Sequence, residues 1–212
     1  MFITFEGPEG SGKSTQIQRL GAFLSGRGLE CVVTKEPGGT PISDRIRAIV
    51  LDTASAGMDA WTEVLLYSAS RRQHVVERIR PALARNAVVL CDRYTDATLA
   101  YQGYGRLIDA GRLETLNAWA TEGLQPEVTL LYDIDETVGL ARAHQRNAGM
   151  EIDEGRFEAE DLRFHRRVRE GYLALAVASP KRFVTIDGHG TIDEVFERTV
   201  AALRTRAPQL FS

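Results

Sequence analysis

Short apolar runs alternate along the chain with stretches in which apolar residues recur every three or four positions. The runs predict five strands, at residues 2–5, 30–35, 87–91, 128–132 and 182–186. The run at 87–91 lacks polar alternation, which is typical of a parallel strand buried on both faces. Strands that alternate with helices favour an α/β fold: a five-stranded parallel sheet with helices on both faces, in one domain spanning residues 1–212.

Helical periodicity predicts the connections between these strands. A first helix follows the turn that ends at Ser14, and further helices cover 42–51, 59–80, 96–101, 109–122, 136–146 and 193–204. Another helix is marked by Phe157, Phe164, Val168, Tyr172 and Leu175. We expect Thr40 or Ser43 to cap the helix at 42–51. We also expect Pro81 to bend or interrupt the long helix at 59–80. Residues 147–155 mix glycine with charge, which is typical of a mobile loop.

Composition narrows the class of protein. The chain has 212 residues, of which 43% are hydrophobic and 26% charged, and its net charge is −3. We expect no nucleic-acid partner, because no global basic field would recruit one. No apolar run approaches a membrane span, so we expect no membrane partner. Cys31 and Cys91 lie in apolar runs, which favours buried reduced thiols and a cytoplasmic protein.

The strongest chemical signal follows the first strand. Gly7, Gly12, Lys13 and Ser14 fit the spacing G-x-x-x-x-G-K-[ST] of a phosphate-binding loop, the P-loop. Glycines let the backbone present N–H groups to phosphate oxygens, and the following helix points its positive end at the same anion. Lys13 can reach the β- and γ-phosphates of ATP, and Ser14 can ligate Mg²⁺. The other loop residues expected at the nucleotide are Pro8, Glu9, Gly10, Ser11 and Thr15.

Further candidates fall where predicted strands end. Ligands of such sheets bind beyond the carboxyl ends of the strands, so residues 7–14, 36–40, 92–93 and 133 are expected to converge. Asp92 can orient Mg²⁺, directly or through water. Arg93 can clamp a second phosphate, because its planar fork matches phosphate oxygens. A structural ion pair at the strand end is the alternative for both residues.

Two other groups of side chains suit phosphoryl transfer. Arginines on a closing loop can neutralise charge on a transferring phosphoryl group, and three flank the loop at 147–155: Arg142, Arg146 and Arg156. A solvated basic face is the alternative. Tyr67 and Arg71 lie one helical turn apart, so Tyr67 can stack on a base while Arg71 bonds its edge. For Tyr67, packing in the core is an equal alternative.

The residues resemble bacterial thymidylate kinases, a branch of the P-loop nucleoside monophosphate kinases. The resemblance covers nearly the whole chain and is carried by residues 5–15, 36–40, 92–94, 100–103 and 126–133. Glu-Pro-Gly-Gly-Thr at 36–40 and Ala-Tyr-Gln-Gly at 100–103 make it specific. It implies transfer of the γ-phosphoryl of ATP to dTMP, giving dTDP for dTTP synthesis, with Mg²⁺. It also implies a homodimer and a short mobile lid at about residues 142–157.

The resemblance also implies roles in the acceptor pocket. Glu9 matches the carboxylate at the deoxyribose 3′-hydroxyl, and Arg93 the arginine on the acceptor phosphate. Tyr67 stands where a stacking phenylalanine is usual. Tyr101 matches the residue that crowds the sugar 2′-position. Arg71 and Thr98 match positions that hydrogen-bond thymine. Pro37 and Gln102 match positions that line the pocket.

Two departures and one assignment accompany the resemblance. The departures are Tyr67 and Ala97, and Ala97 stands where the family often has serine. Gly10 stands where animal and yeast members carry an arginine. The catalytic arginine is therefore expected from the lid, with Arg156 first, then Arg146 and Arg142.

Other functions remain as alternatives. Another small-molecule kinase, acting on a deoxynucleoside or a different monophosphate, would use the same loop. A GTPase-type switch would need an N-K-x-D motif, which the chain lacks, and the D-x-x-G match at 187–190 lies too late. A catalytically inactive relative is disfavoured because Lys13, Ser14, Asp92 and Arg93 are all intact.

Overall fold

A parallel sheet forms the centre of the computed structural model, which describes residues 1–147 and 155–211. The five strands of the described part stand in the order β2-β3-β1-β4-β5. They are β1 (Phe2–Glu6), β2 (Cys31–Lys35), β3 (Val88–Asp92), β4 (Val128–Asp133) and β5 (Phe183–Asp187). All neighbouring pairs are parallel, so the carboxyl ends of the strands meet at one edge of the sheet. The predicted fold class is confirmed.

Helices connect these strands on both faces of the sheet. They are α1 (Lys13–Ser25), α2 (Pro41–Leu51), α3 (Ala60–His74), α4 (Arg80–Ala84), α5 (Thr95–Thr98), α6 (Ala110–Thr121), α7 (Glu136–Asn147), α8 (Leu162–Ala178) and α9 (Ile192–Arg206). Short 3₁₀ turns occupy Thr53–Ser55 and Pro208–Leu210. Within the described ranges, no helix combines the length and the apolar composition needed to cross a bilayer.

Successive strand residues enter different parts of the core, because side chains alternate across a strand. Leu130 packs with Phe5, Ile17 and Leu203, beneath α1 and α9. Its neighbour Leu131 packs on the opposite face with residues that include Phe164, Val168 and Tyr172 of α8. Phe2 joins a third cluster with Val89, Cys91 and Ile79. Both faces of the sheet are therefore covered, as the unbroken apolar run in β3 predicts.

Several local predictions need correction. Pro81 does not interrupt its helix: a π-helical segment, Val75–Ile79, runs directly into α4, where proline occupies the first turn and needs no N–H partner. A second π-helical segment, Leu99–Gly105, extends the short α5. Phe157 precedes α8, which begins at Leu162 because Asp161 caps it by accepting from the Phe164 N–H. Thr40 caps α2, as expected.

The two cysteines differ in exposure. Cys91 is buried, as predicted, but Cys31 is only half-buried because β2 is an edge strand. Both thiols are free.

Candidate active site

The loop between β1 and α1 forms the base of the site. Gly12 caps α1 with a left-handed backbone (φ 85°) and no side-chain hydrogen bond, so the first N–H groups of the helix are not capped by a side chain. Gly10 (φ 66°) lies so close to α7 that a Cβ there would collide with the Gly139 carbonyl. This contact places the start of α7 directly against the P-loop.

Lys13 lies inside this loop. Its side chain is buried, and Nζ donates to the Pro8 carbonyl at 3.2 Å. Burial and the nearby Arg93 lower the pKa of Lys13, while Glu9 and Asp92 oppose the shift. A buried ammonium group beside uncapped helix N–H groups makes this loop suited to binding an anion.

Asp92, at the end of β3, faces the first turn of α1. The Ser14 hydroxyl donates to Asp92 Oδ2 at 2.6 Å. The other carboxylate oxygen, Oδ1, is buried and has no hydrogen-bond partner among the described residues. Carboxylate and hydroxyl oxygens are ligands that Mg²⁺ prefers, and Mg²⁺ needs few from the protein because it keeps several waters. The orphaned oxygen beside the serine hydroxyl therefore fits a magnesium site.

Arg93 connects the P-loop to the next region of the cleft. Its Nη1 donates to the Gly7 carbonyl and to the Tyr172 hydroxyl, each at 3.0 Å. Its Nη2 donates to Glu9 Oε1 at 2.7 Å and to the Tyr101 hydroxyl at 2.9 Å. The Tyr101 hydroxyl in turn donates to Glu9 Oε1 at 3.0 Å. One guanidinium thus binds residues from the P-loop, the π-helical segment after α5, and α8.

Arg71 lies fully buried on α3 in a second network. Its Nε donates to Glu36 Oε2 at 2.7 Å, and its Nη1 donates to Thr98 Oγ1 at 2.9 Å and Asn117 Oδ1 at 2.7 Å. Its Nη2 donates to the Tyr94 carbonyl at 2.9 Å. These four bonds, all donated to buried acceptors, fix the plane of the guanidinium.

Glu36 is held on its other side by a histidine. His74 Nδ1 lies 2.9 Å from Glu36 Oε1, and its Nε2 lies 2.7 Å from Thr34 Oγ1. His74 is fully buried on α3, and Glu36 directly follows β2. The carboxylate thus links the end of β2 to two side chains of α3.

A cleft of about 1420 Å³ contains most of the predicted residues. Its lining includes Glu9, Lys13, Ser14, Pro37, Tyr67, Arg71, Asp92, Arg93, Thr98, Tyr101 and Gln102. The strand ends therefore converge as predicted, with one exception: Asp133 is bound by Arg169, at 2.7 and 3.0 Å, and does not line this cleft.

Two rings and an amide shape the pocket wall. The Tyr101 ring packs edge-on against Phe157, with 5.5 Å between centroids, and the Tyr67 ring lies 6.4 Å from the same phenylalanine. Gln102 Nε2 donates to Glu63 Oε1 at 2.8 Å. The half-buried Tyr67 lines the cleft and also packs against the core, so stacking on a base stays a prediction.

The three arginines around the predicted lid have different surroundings. Arg156 is buried and donates to Glu63 Oε2 at 2.5 Å and to the Val50 carbonyl at 2.6 Å. Arg142 is exposed on α7 and donates to the Gly188 carbonyl at 3.3 Å. Arg146 belongs to α7, but its side chain and residues 148–154 lie outside the described part of the chain.

Sequence reasoning missed several buried polar residues that support the site. Glu6 accepts from the Tyr94 N–H at 2.7 Å and from the Tyr172 hydroxyl at 2.8 Å. Burial, with the Asp96 carboxylate adding to it, raises the pKa of Glu6 to about 7. The sequence does carry one signal for Glu6, because a glutamate in an otherwise apolar strand is unusual. The other supporting residues that were missed are Glu63 and His74; Glu36 lies in the stretch 36–40 that was expected at the site, but without a role of its own.

Comparisons with known proteins identify similar chains. A family model described as thymidylate kinase matches residues 5–199. The thymidylate kinase of Geotalea uraniireducens is 52% identical over 206 residues, 97% of each chain. That of Solidesulfovibrio magneticus is 54% identical over 199 residues, 93% of this chain and 95% of its own. The crystal structure of thymidylate kinase from Ehrlichia chaffeensis is similar at a TM-score of 0.78 and 32% identity, covering 96% of this chain and 98% of that one.

Proposed function

Because the chain belongs to the thymidylate kinase family and phosphorylates dTMP to dTDP, we propose that Mg·ATP is its donor and that Arg93 links the two substrate sites. The observation that carries this proposal is the position of Arg93. Its guanidinium binds the Gly7 carbonyl of the P-loop and the Tyr101 hydroxyl at once. A phosphate held there lies next to the site of the donor phosphates.

The P-loop is the proposed donor site. Its backbone N–H groups and the uncapped start of α1 would hold the β- and γ-phosphates, with Lys13 supplying a positive charge. The proposed contacts along the loop are Gly7, Pro8, Glu9, Gly10, Ser11, Gly12, Lys13, Ser14 and Thr15.

Ser14 and Asp92 are the proposed magnesium residues. The hydroxyl and the orphaned Oδ1 would hold the ion together with water and phosphate oxygens. When bound, Mg²⁺ neutralises charge on the transferring phosphoryl group. The protein residues act by orienting the oxygens that meet the ion.

The acceptor pocket would hold dTMP between α3 and the π-helical segment after α5. Arg93 would bind the acceptor phosphate, and Glu9 the 3′-hydroxyl. Arg71, already fixed by four hydrogen bonds, would donate to the base edge, with Tyr67 stacking on the ring. The remaining proposed contacts are Pro37, Thr98, Tyr101 and Gln102, all of which line the cleft.

Catalysis in this site is positioning and electrostatics. Phosphoryl transfer needs the acceptor oxygen aligned with the γ-phosphorus, and needs positive charge around the equatorial oxygens. No covalent intermediate on the protein is required. Arg93 and Lys13 supply charge from the two sides of the point where the substrates meet.

A third charge would come from a lid at about residues 142–157. Arg156 would have to leave the buried Glu63 to contact a phosphate, and separating a buried ion pair is costly. Arg142 is already exposed on α7, which packs against the P-loop at Gly10, and Arg146 lies one helical turn further on. We therefore place Arg142 and Arg146 ahead of Arg156 as the arginine of the transition state.

The chain is proposed to act as a cytoplasmic homodimer with one continuous domain per protomer. Helix α3 packs between α2 and α6, and these three helices expose apolar side chains. They are Ile42, Ile49, Leu65 and Trp119, each at least 50% exposed. Exposed apolar groups on adjacent helices favour a protein partner. Sedimentation should give a dimer that Leu65→Glu converts to a monomer; a wild-type monomer would refute the assignment.

A substrate panel tests the proposed reaction. Purified protein is assayed with ATP and Mg²⁺ against dTMP, dUMP, dGMP, AMP and thymidine, with product separated by chromatography. We expect dTDP from dTMP as the main product, and loss of turnover of about 100-fold or more in Lys13→Met. The exposed Lys181→Met is the matched control and should leave turnover unchanged. Equal turnover in the two variants would remove Lys13 from its role.

A further inference from the structure

Tyr172 is an acceptor for Arg93 that has no role in the machinery described above. Its hydroxyl accepts from Arg93 Nη1 at 3.0 Å. The side chain is fully buried on α8, 79 residues after Arg93 in the chain. The other three acceptors of the Arg93 guanidinium are Gly7, Glu9 and Tyr101, which the proposed function places at the substrates.

The direction of the next hydrogen bond defines what Tyr172 does. Its hydroxyl lies 2.8 Å from Glu6 Oε2, and above the Glu6 pKa of about 7 that carboxylate oxygen can only accept. A phenol has one proton, so once that proton is committed to Glu6 the oxygen presents its lone pairs to Arg93. Glu6 itself is fixed because its other oxygen accepts from the Tyr94 N–H at 2.7 Å. The two hydrogen bonds therefore run in one direction: Arg93 donates to Tyr172, and Tyr172 donates to Glu6.

The backbone of Arg93 also has an unusual conformation. Arg93 has φ 67°, in the left-handed region that few residues other than glycine adopt. Such conformations persist where the surrounding contacts over-determine them, and they cluster at functional sites. The guanidinium of Arg93 meets four acceptors from three separate segments of the chain, and Tyr172 is the contribution of α8.

We propose that Tyr172 and Glu6 are positioning residues that hold the Arg93 guanidinium in the orientation that receives the phosphate of dTMP. This inference rests on the proposed function, in which Arg93 binds that phosphate. It assigns Glu6 a purpose that core packing does not, because an apolar residue at this point of β1 would avoid the cost of burying a carboxyl group.

The variant Glu6→Gln tests the direction of these hydrogen bonds. In Glu6→Gln the amide oxygen must face the Tyr94 N–H, since that backbone group can only donate. The amide NH₂ then faces Tyr172 and donates to its oxygen. The hydroxyl proton is displaced towards Arg93, where it opposes the guanidinium N–H. Glu6→Gln should therefore weaken the hold on Arg93 although it is nearly isosteric.

A purely structural role for Tyr172 makes a different prediction. Its ring packs edge-on near Tyr101, with 6.2 Å between centroids, and belongs to the same core cluster as Phe164. If that packing were its whole contribution, loss of the hydroxyl would lower stability and leave the balance between dTMP and ATP unchanged.

The experiment compares two tyrosines. Tyr172→Phe removes the hydroxyl beside Arg93, and Tyr132→Phe removes one that is equally buried but pairs with Thr199 Oγ1 at 3.0 Å. Thermal unfolding, kcat and the KM values for dTMP and ATP are measured for both, and for Glu6→Gln, at about pH 8.5, where Glu6 is ionised. We expect Tyr172→Phe and Glu6→Gln to raise the KM for dTMP by about 3- to 10-fold, with the KM for ATP within about twofold.

Tyr132→Phe should change neither KM, even if it lowers the melting temperature as much. Equal KM values in the two tyrosine variants would overturn the proposal, as would a parallel rise in the KM for ATP. Should Tyr172→Phe fail to fold, Glu6→Gln gives the same comparison against Tyr132→Phe, and an unchanged KM for dTMP there would overturn it.

Arg93→Ala separates this inference from the function it rests on. If Arg93→Ala leaves the KM for dTMP unchanged, the proposed role of Arg93 fails. If it raises that KM while Tyr172→Phe does not, only the positioning role fails. The double variant completes the cycle: Tyr172→Phe should add nothing to the KM of Arg93→Ala, because Tyr172 acts through Arg93. If the effects of the two substitutions on the KM for dTMP were additive, Tyr172 would not act through Arg93.

Discussion

The Ser14 hydroxyl lies 2.6 Å from Asp92 Oδ2, although 78 residues separate the two in the chain. The bond joins the first turn of α1 to the end of β3, and it leaves Asp92 Oδ1 buried without a partner among the described residues. A buried carboxylate oxygen with nothing to bind is costly unless a ligand completes it. The pair therefore suits a cation that arrives with the donor nucleotide.

Asp92→Asn tests that interpretation. The amide keeps the shape of the side chain but loses the negative charge that favours Mg²⁺. We expect the Mg²⁺ concentration giving half-maximal rate to rise by about 10-fold or more, with recovery of rate at high Mg²⁺. The measurement is a magnesium titration at fixed ATP. An unchanged midpoint would remove Asp92 from the metal site.

Tyr101 offers a test of sugar selectivity. Its ring packs on Phe157 and its hydroxyl binds both Arg93 and Glu9. Tyr101→Ala should open space at the sugar 2′-position and lower the preference for dTMP over its ribose counterpart by about 10-fold. Tyr101→Phe keeps the ring, so it should raise the KM for dTMP and preserve the preference.

The ratio of the two kcat/KM values, measured with both substrates, checks this prediction. A ratio that stays the same in Tyr101→Ala, or that falls equally in both variants, would show that the ring does not exclude the 2′-hydroxyl.

Two adjacent arginines on α3 test the buried network. Arg71→Met leaves Glu36 buried without its cation and the buried Thr98 and Asn117 oxygens without this donor, so we expect a loss of about 3–5 kcal/mol in the free energy of unfolding. Arg72, its neighbour, pairs with the exposed Glu122 at the surface, and Arg72→Met should change stability little. Urea denaturation compares the two. Similar losses in both variants would contradict the assigned importance of the Arg71 network.

Glu6 makes stability depend on pH with a definite sign. Its pKa is about 7 in the folded protein and near 4.5 in the unfolded chain, so the folded state holds a proton that the unfolded state releases. The proton on Glu6 stabilises the folded state fully below about pH 4.5, and this stabilisation is lost as pH rises to about 7. Glu6→Gln lacks this titration, so wild type should lose stability relative to the variant across that interval and stay level above it.

Denaturant unfolding at a series of pH values gives this difference directly. The charged or titratable groups that face Glu6 remain in both proteins; they are Lys13, Cys91, Arg93, Asp96, Tyr172 and Arg182. Subtracting one profile from the other therefore leaves the titration of Glu6 together with its effect on the neighbouring Asp96. A difference that does not change between pH 4.5 and 7 would contradict the raised pKa.

The sequence predicts those parts of the molecule that local pattern encodes. The strands, the P-loop and the convergence of Lys13, Asp92 and Arg93 follow from apolar runs, glycine spacing and the geometry of parallel sheets. The π-helical segments do not, because a wider turn has no periodicity distinct from an α-helix over five to seven residues. The start of α8 is set by the Asp161 cap, whereas apolar periodicity alone extends the helix back to Phe157.

The supporting residues escape sequence reasoning for a different reason. Glu6 bonds to Tyr172 across 166 residues and to Tyr94 across 88, and Glu36 bonds to His74 across 38. No spacing rule connects such partners, and each glutamate alone is compatible with many surroundings. Arg156 is a different case: its position beside the predicted lid suggests contact with phosphate, and the fold pairs it with Glu63, so its role stays a prediction.

The central claim is that one arginine at the end of β3 receives the acceptor phosphate beside the P-loop. Initial rates of dTDP formation, measured against dTMP and ATP concentrations separately, test it with Arg93→Met and the exposed Arg85→Met as control. We predict that kcat/KM for dTMP falls by about 100-fold in Arg93→Met while the KM for ATP and the Arg85 variant change little. A normal kcat/KM for dTMP, or a loss confined to ATP, would contradict the account.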